Sequence, residues 1–415
     1  MALSKIEVKN FKTFKNVSVE FNKCNLLIGS CAAGKSNFVE IFDFIKDLSQ
    51  DFDKAFRKHG GAYLQNLNLN SDDNPTCLKV SFDDELGSAS LDLSNDLNES
   101  ERITLHFTNF DYEICIHFNN WEYEILSEKV EFKFKVYKNR ELISHNQLNL
   151  RNDDGDFMVD LEHEEKYFTA NDLIPESLLN LAENNFKMRK IPLINSPISS
   201  LPIPWEFIFK DIECYNFNPQ LSKGVSEING DNNLLKYGEN LAVILHKIFK
   251  DENNKRKFLN LVNDLLPYVD NVDVNQLSEN QMFFSITEEN TSVEIPSFFI
   301  SNGTSNVISL IVSLYFDDSK YVFIEEPERN IHPSLLSKVV EMMEEASNNK
   351  QITVTTHSPE ILKYMDLNNV LFISKDSDGF SKITKPIDNE ILMPFIEELG
   401  IDEIFVDNYL GLGNE

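Results

Sequence analysis

The segment at residues 29–36 constrains the fold of this chain more than any other part of the sequence. It reads Gly-Ser-Cys-Ala-Ala-Gly-Lys-Ser and matches the pattern G-x-x-x-x-G-K-[ST]. An apolar run at residues 24–28 precedes it, and apolar residues at helical spacing follow it, beginning at Phe38. A strand, a glycine loop and a helix in this order predict a phosphate-binding loop, because free N–H groups at a helix N-terminus bind anions.

The loop assigns roles to individual residues. Lys35 is expected to reach the β- and γ-phosphates of a nucleoside triphosphate, and the Ser36 hydroxyl is expected to bind Mg²⁺. The residues of this segment and its next neighbour that we predict to line the nucleotide site are Gly29, Ser30, Cys31, Ala32, Ala33, Gly34, Lys35, Ser36 and Asn37.

The charge of the chain limits its partners. Among 415 residues there are 68 acidic and 38 basic ones, which gives a formal net charge of −30. Such a surface repels nucleic acid and anionic membranes at long range, so DNA binding would require a local basic patch. Candidate patches lie at residues 57–58, 187–190 and 255–257, although a solvated helix face explains each patch taken alone better.

Cysteine usage and hydropathy indicate the compartment. The five cysteines are scattered, odd in number and without C-x-x-C pairing, which argues against a disulfide framework and a zinc site. The N-terminus has no signal pattern, and the longest apolar stretch, near residues 308–316, is too short to span a bilayer. We therefore expect a soluble, cytoplasmic protein without a membrane partner.

The pattern of apolar residues predicts an α/β fold. Residues 79–150 alternate with period two and predict an antiparallel β meander. Residues 172–209 look helical and then loop-like, with breaks at Pro197, Pro202 and Pro204. From residue 305 onward, apolar β runs alternate with helices and predict a parallel sheet. We divide the chain into 1–60, 61–170, 171–300 and 301–415, with the phosphate loop in the first part and the remaining nucleotide motifs in the last.

Two carboxylates and a histidine follow strands of the C-terminal part. Glu325 and Glu326 end an apolar strand, and His357 ends the next one. The carboxyl ends of parallel strands share one edge, where ligands bind. We assign Glu325 to Mg²⁺, Glu326 to the attacking water and His357 to the γ-phosphate. The alternatives are a solvated acidic loop and a structural histidine.

A serine-glycine turn precedes the helix that begins near residue 305. It contains Ser301, Asn302 and Gly303. A helix N-terminus of this kind is a candidate anion site, although many helices begin in the same way.

The order of these motifs resembles the ABC-type ATPase heads of the RecF, SMC and OLD lineage. The resemblance covers nearly the whole chain, and the segments at residues 238–242 and 330–333 are similar to stand-alone OLD-like ATPases. It implies a P-loop head with a mixed or parallel core sheet, an antiparallel β lobe and a helical lobe that carries the signature motif. It also implies ATP and Mg²⁺ as cofactors, with Lys35, Glu326 and His357 as the catalytic residues.

The resemblance further implies a dimer. Ser301, Asn302 and Gly303 would be the signature motif, which binds the γ-phosphate held by the other protomer. Two ATP molecules would thus be sandwiched in a homodimer, with a higher oligomer left open. Residues 329–332 would line the dimer seam, and Gln220 or Gln65 would sense Mg²⁺.

Two features depart from the pattern of that lineage. Cys31 and Ala32 replace the usual Asn and Gly of the loop, so a side-chain contact is lost at Cys31. Glu325 stands where Asp is commoner, and its extra methylene is expected to slow turnover.

The resemblance leads to one favoured function and two alternatives. The favoured one is an ATP-driven switch that regulates a separately encoded effector nuclease in anti-phage defence. Long heptad runs are absent between Ser36 and Ser301, and we expect too little chain after His357 for a Toprim nuclease domain. The alternatives are a RecF-like DNA-binding ATPase of recombination or repair and a nucleotide-binding scaffold without turnover.

Overall fold

The computed structural model describes residues 2–65, 74–83, 87–94, 100–119, 122–163, 173, 190, 192–195, 206–230, 232–289, 291–391 and 393–406. The chain divides into two compact units. We call the first the β unit; it comprises Met1–Asn22, Glu40–Lys210 and Lys375–Ile383. We call the second the P-loop unit; it comprises Lys23–Val39, Asp211–Ser374 and Thr384–Glu415.

The elements are numbered in chain order. The strands are β1 (Ala2–Phe11), β2 (Phe14–Glu20), β3 (Cys24–Gly29), β4 (Thr76–Asp83), β5 (Gly87–Ser94), β6 (Ser100–Asn119), β7 (Glu122–Lys138), β8 (Glu141–Asp153), β9 (Asp156–His163), β10 (Ile212–Tyr215), β11 (Ser226–Glu227), β12 (Val269–Ser278), β13 (Gln281–Glu288), β14 (Glu294–Pro296), β15 (Tyr321–Glu325), β16 (Gln351–Thr356), β17 (Val370–Lys375) and β18 (Ser381–Thr384). The α-helices are α1 (Lys35–Gln50), α2 (Phe52–Lys58), α3 (Glu206–Lys210), α4 (Pro219–Ser222), α5 (Leu241–Ile248), α6 (Glu252–Leu265), α7 (Asn302–Tyr315), α8 (Leu336–Ala346), α9 (Met393–Leu399) and α10 (Ile401–Val406).

The β unit is built on one antiparallel sheet. Its strand order is β2-β1-β4-β6-β7-β8-β9, and β5 pairs with β6. Along β7 the even-numbered residues from Val130 to Val136 are buried. The rings of Phe82, Phe110 and Phe132 form part of the core on this face, with centroids 5.9 and 5.0 Å apart. The predicted antiparallel meander is therefore confirmed, because period-two alternation buries one face of each strand.

A disulfide bond corrects the expectation drawn from the cysteines. Cys77 on β4 and Cys115 on β6 lie directly opposite each other in the antiparallel register and are bonded. The two residues are 38 positions apart, so the contact depends on strand register, which cysteine spacing does not reveal. Cys24, Cys31 and Cys214 are free thiols.

The P-loop unit contains a parallel sheet. The strands β10, β15, β16, β3 and β17 lie in this order, and every neighbouring pair is parallel. These strands are buried along nearly their whole length, as expected where helices cover a parallel sheet. A smaller antiparallel sheet of β11, β13, β12 and β14 belongs to the same unit. The predicted α/β fold class is thus confirmed.

The helices of the C-terminal part also follow the sequence pattern. The apolar helix α7 is buried from Thr304 to Leu314, and α8 buries one face that includes Val339 and Met343. Pro197, Pro202, Pro204 and most of residues 172–209 lie outside the described residues, as do residues 187–189 of one basic patch. The division of the chain into four parts stays a prediction. In the described part of the chain, no helix is long and apolar enough to cross a membrane.

Candidate functional site

The phosphate loop connects β3 to α1 as the sequence predicts. Gly34 has φ 115°, a backbone conformation that residues other than glycine rarely adopt. Ala32 also has a positive φ, 61°. A Cβ atom on Gly29 would lie 2.1 Å from the carbonyl oxygen of Ile373 on β17. Glycine at the end of β3 is therefore required by close packing inside the sheet, and α1 begins directly at Lys35.

Lys35 is buried inside the loop. Its Nζ donates hydrogen bonds to the carbonyl oxygens of Gly29 at 2.7 Å and Ser30 at 2.9 Å, and lies 3.0 Å from His357 Nδ1. Burial lowers the pKa of Lys35 to about 8, although the nearby Cys31 thiol and Glu326 act in the opposite direction. The ammonium is thus held by two carbonyl oxygens of the loop and by His357, at the point where phosphates are predicted to bind.

The predicted Mg²⁺ ligands lie together. Ser36 Oγ donates to Glu325 Oε2 at 2.5 Å, and Asn216 Nδ2 donates to Glu325 Oε1 at 3.1 Å. Ser36 lies in the first turn of α1, Glu325 ends β15, and Asn216 follows the neighbouring parallel strand β10. A hydroxyl and a carboxylate supply the oxygen donors that Mg²⁺ prefers.

Glu326 occupies a tight turn after β15. Its φ is 47°, and its N–H donates to the carbonyl of Thr355 on β16 at 2.8 Å. The carboxylate accepts hydrogen bonds from Arg329, with Nη2 at 2.9 Å, and its other oxygen lies 3.5 Å from His357 Nε2. Burial and the neighbouring Lys35 charge lower the pKa of His357, while Glu326 opposes them. A neutral His357 can accept from Lys35 at Nδ1 and direct Nε2–H towards Glu326.

A third carboxylate, that of Glu328, stabilises the turn after β15. The Thr356 hydroxyl donates to Glu328 Oε1, and the N–H of Ser358 donates to Thr356 Oγ1 at 2.9 Å. Burial raises the pKa of Glu328, although the Thr356 bond opposes this. Glu328 therefore connects the turn after β15 to the segment that carries His357.

The signature residues form the N-terminus of α7. Ser301 is the N-cap, and its Oγ accepts from the Thr304 N–H at 3.0 Å. Asn302 Oδ1 accepts from Lys223 Nζ at 2.8 Å. A Cβ on Gly303 would lie 2.4 Å from the carbonyl oxygen of Asn330, so this helix packs directly on the loop after Glu326.

The structure brings together Lys35, Ser36, Glu325, Glu326 and His357, and it adds two contacts that sequence reasoning missed. Asn216 and Arg329 contact the two carboxylates, with Arg329 Nη1 3.4 Å from Asn216 Oδ1. No local signal in the sequence marked Asn216, because its contact with Glu325 depends on the pairing of β10 with β15. Gln220 lies in α4, where its N–H donates to the Asn218 cap, and Gln65 belongs to the β unit, where it bridges to Phe11. Cys31 Sγ is 3.8 Å from His357 Nδ1.

Several solved structures of SMC heads are similar at low sequence identity. An SMC head bound to the C-winged helix domain of ScpA has a TM-score of 0.47 and 12% identity, and the match covers 92% of this chain and 98% of that one. For the SMC head domain from Thermotoga maritima the TM-score is 0.41 with 13% identity, over 93% and 99%. For a Pyrococcus furiosus SMC head with an extended coiled coil the values are 0.42 and 12%, over 96% and 99%.

Sequence comparison identifies the family. An uncharacterized protein of Methanocaldococcus jannaschii is 26% identical over 145 residues. The match covers 31% of this chain and spans only 38% of the length of that relative. The profile of the AAA ATPase domain matches residues 1–362 of the 415. Because this match covers well over half of the chain, the protein belongs to the AAA ATPase domain family.

Proposed function

We propose that this protein is a Mg²⁺-dependent ATPase of the ABC type, which hydrolyses ATP to ADP and phosphate. One observation carries the proposal: Ser36 Oγ meets Glu325 Oε2 at 2.5 Å, although 289 positions separate them in the chain. Membership of the AAA ATPase domain family supports the same activity.

The oxygen donors at the edge of the sheet suit Mg²⁺. Ser36 and Glu325 would hold the ion, and the Asn216 amide would fix the orientation of the Glu325 carboxylate. Held there, Mg²⁺ would neutralise the negative charge that develops during phosphoryl transfer. The backbone N–H groups at the start of α1 would bind the phosphates of ATP.

Lys35, Glu326 and His357 would carry the reaction. Lys35 exchanges its bonds to the Gly29 and Ser30 carbonyls for bonds to the β- and γ-phosphates. Glu326 accepts a proton from the water that attacks the γ-phosphorus, and His357 donates to the γ-phosphate. Arg329 donates hydrogen bonds to the Glu326 carboxylate in this structure. These bonds must break before Glu326 can act as a base.

The signature motif would act in a second copy of the chain. Ser301, Asn302 and Gly303 begin a helix of 14 residues, whose N-terminus can bind the γ-phosphate of ATP held by a partner. Two ATP molecules would join a homodimer, or a higher oligomer built from such pairs. Because Gly303 packs on Asn330, this helix and the turn that carries Glu326 would respond together to ATP.

We further propose that the switch regulates a separate effector nuclease in anti-phage defence. The support is the resemblance to stand-alone OLD-like ATPases, and a net charge of −30 suits a basic protein partner. A RecF-like DNA-binding ATPase is the second candidate, supported by the Lys255–Arg256–Lys257 run on α6. DNA that stimulates hydrolysis in a salt-sensitive manner would favour this candidate over the first.

The hydrolysis step can be tested with three variants. We expect wild-type protein to release phosphate from ATP with Mg²⁺ and to stop when EDTA is added. Glu326→Gln should lower kcat by about 10²- to 10⁴-fold with nucleotide binding retained, because a general base is lost. Lys35→Ala should lose nucleotide binding itself.

The matched control is Glu341→Gln, an exposed carboxylate on α8. It should hydrolyse ATP at the wild-type rate. If Glu326→Gln also did so, Glu326 would not be the base, and the proposed mechanism would be wrong.

A further inference from the structure

The β unit contains a compact cluster of ionisable side chains that the nucleotide site does not use. Glu40, Asp43 and Asp47 follow one another at spacings of three and four on α1, so they lie on one face of the helix. His59 caps the end of α2 and completes the cluster. All four residues belong to the β unit.

His59 is held in a fixed orientation. Its side chain is only 4% exposed, and its ring packs edge-on against Phe44 with centroids 5.6 Å apart. Nε2 lies 2.7 Å from Asp47 Oδ2, and Nδ1 lies 3.3 Å from Glu40 Oε1. Glu40 is itself paired with Lys12. A buried imidazole that donates from one nitrogen to a carboxylate is the arrangement that orients histidine ligands in metal sites.

Three donor atoms converge in this cluster. One carboxylate oxygen each from Asp43 and Asp47 and one nitrogen of His59 all lie within 4.8 Å of one another. Donors bound to one transition ion at about 2.1 Å lie up to about 4.2 Å apart, so a small rotation of the side chains suffices.

Lys58 already places a cation between the carboxylates. Its Nζ lies 2.6 Å from Asp47 Oδ2 and 3.6 Å from Asp43 Oδ1. The Lys58 side chain is 50% exposed, so its ammonium group can turn into water. The two carboxylates thus already neutralise a positive charge at this point. A metal ion that displaced the Lys58 ammonium would be attracted by the same two carboxylates.

We propose that Asp43, Asp47 and His59 bind one divalent transition-metal ion, with Glu40 as the outer carboxylate that orients the imidazole. A set of one nitrogen and two carboxylate donors suits Zn²⁺ or Mn²⁺ better than Mg²⁺, which prefers oxygen alone. The ion would join the C-terminal half of α1 to the end of α2 and stabilise the β unit. The site is independent of the proposed ATPase reaction.

Calorimetric titration of the full-length, nucleotide-free protein with Zn²⁺ tests the proposal. We expect one ion per chain at this site and a rise in the unfolding temperature of the protein. Asp47→Asn and His59→Asn should each weaken this binding at least tenfold, since each removes a ligand. Lys58→Met should strengthen it, because the competing ammonium is gone.

Asp51→Asn is the matched control. It removes one acidic charge close to the cluster, yet asparagine still caps α2, so Zn²⁺ binding should be unchanged. Lys58→Met keeps the test decisive if a ligand variant fails to fold, which circular dichroism reports. Zn²⁺ affinity that is indifferent to Lys58→Met, Asp47→Asn and His59→Asn, or absent from the wild type, would overturn the proposal.

Discussion

At the scale of single residues, the charged side chains of the candidate site bind other groups of the same site. Lys35 is bound by two carbonyl oxygens and by His357, while Arg329 binds Glu326. Each of these bonds must be exchanged when phosphates and water enter. The arrangement therefore predicts that nucleotide binding is coupled to the protonation of Lys35.

Nucleotide affinity should fall at alkaline pH. Burial lowers the pKa of Lys35 to about 8 in the free protein, and bound phosphates favour the charged form. Binding above pH 8 then requires proton uptake, so affinity should fall about fivefold between pH 8 and pH 9. Calorimetric titration with a non-hydrolysable ATP analogue in Mg²⁺-free buffer measures this dependence.

The control for this prediction is Lys35→Arg, which stays charged over the whole range. Its affinity, whatever its absolute value, should change little between pH 7 and pH 9. Equal slopes for the wild type and this variant would show that another group takes up the proton.

At the scale of elements, the buried Glu128 carboxylate connects the segment at residues 193–194 to the antiparallel sheet of the β unit. Glu128 on β7 accepts hydrogen bonds from the N–H of Leu193 at 2.6 Å and from the Tyr112 hydroxyl at 2.8 Å. Burial raises the pKa of Glu128 to about 7, although these hydrogen bonds act against it. Ionising this group inside the folded protein therefore costs stability.

The stability of the protein should carry a pH dependence from Glu128. Because the folded pKa is raised, the contribution of this group is full below pH 4.5 and is lost as the pH rises through about 7. Between these values the free energy of unfolding should fall by about 3 kcal/mol more in the wild type than in Glu128→Gln. Urea denaturation at pH 5 and pH 8 measures the difference.

The exposed Glu124→Gln on the same strand serves as the control and should keep the wild-type dependence. A Glu128→Gln profile parallel to that of the wild type would contradict the assignment.

The elements were more predictable than the contacts between them. The segments before Lys35, at Glu325 and at His357 were readable because apolar runs end in polar residues that a parallel sheet brings to one edge. The Cys77–Cys115 bond, Asn216 beside Glu325 and the cluster around His59 were not readable. Each depends on the register or packing of separate elements, which local periodicity does not encode.

At the scale of the whole molecule, the nucleotide motifs extend from Gly29 to His357 along the chain, and they all belong to the P-loop unit. The signature residues make their polar contacts with Thr304 and Lys223 in this structure. Under the proposed switch they acquire a ligand only when a second copy presents ATP. Assembly that depends on ATP is therefore the central claim.

The most direct test is the solution mass of wild-type protein and Glu326→Gln, each with and without Mg-ATP, with phosphate release followed on the same samples. We expect the variant to change from the mass of one chain, 47.9 kDa, to twice that value with ATP and to release almost no phosphate. The wild type should return to the smaller mass as ATP is consumed. A mass that is indifferent to ATP in both proteins would contradict the switch and the role given to Ser301.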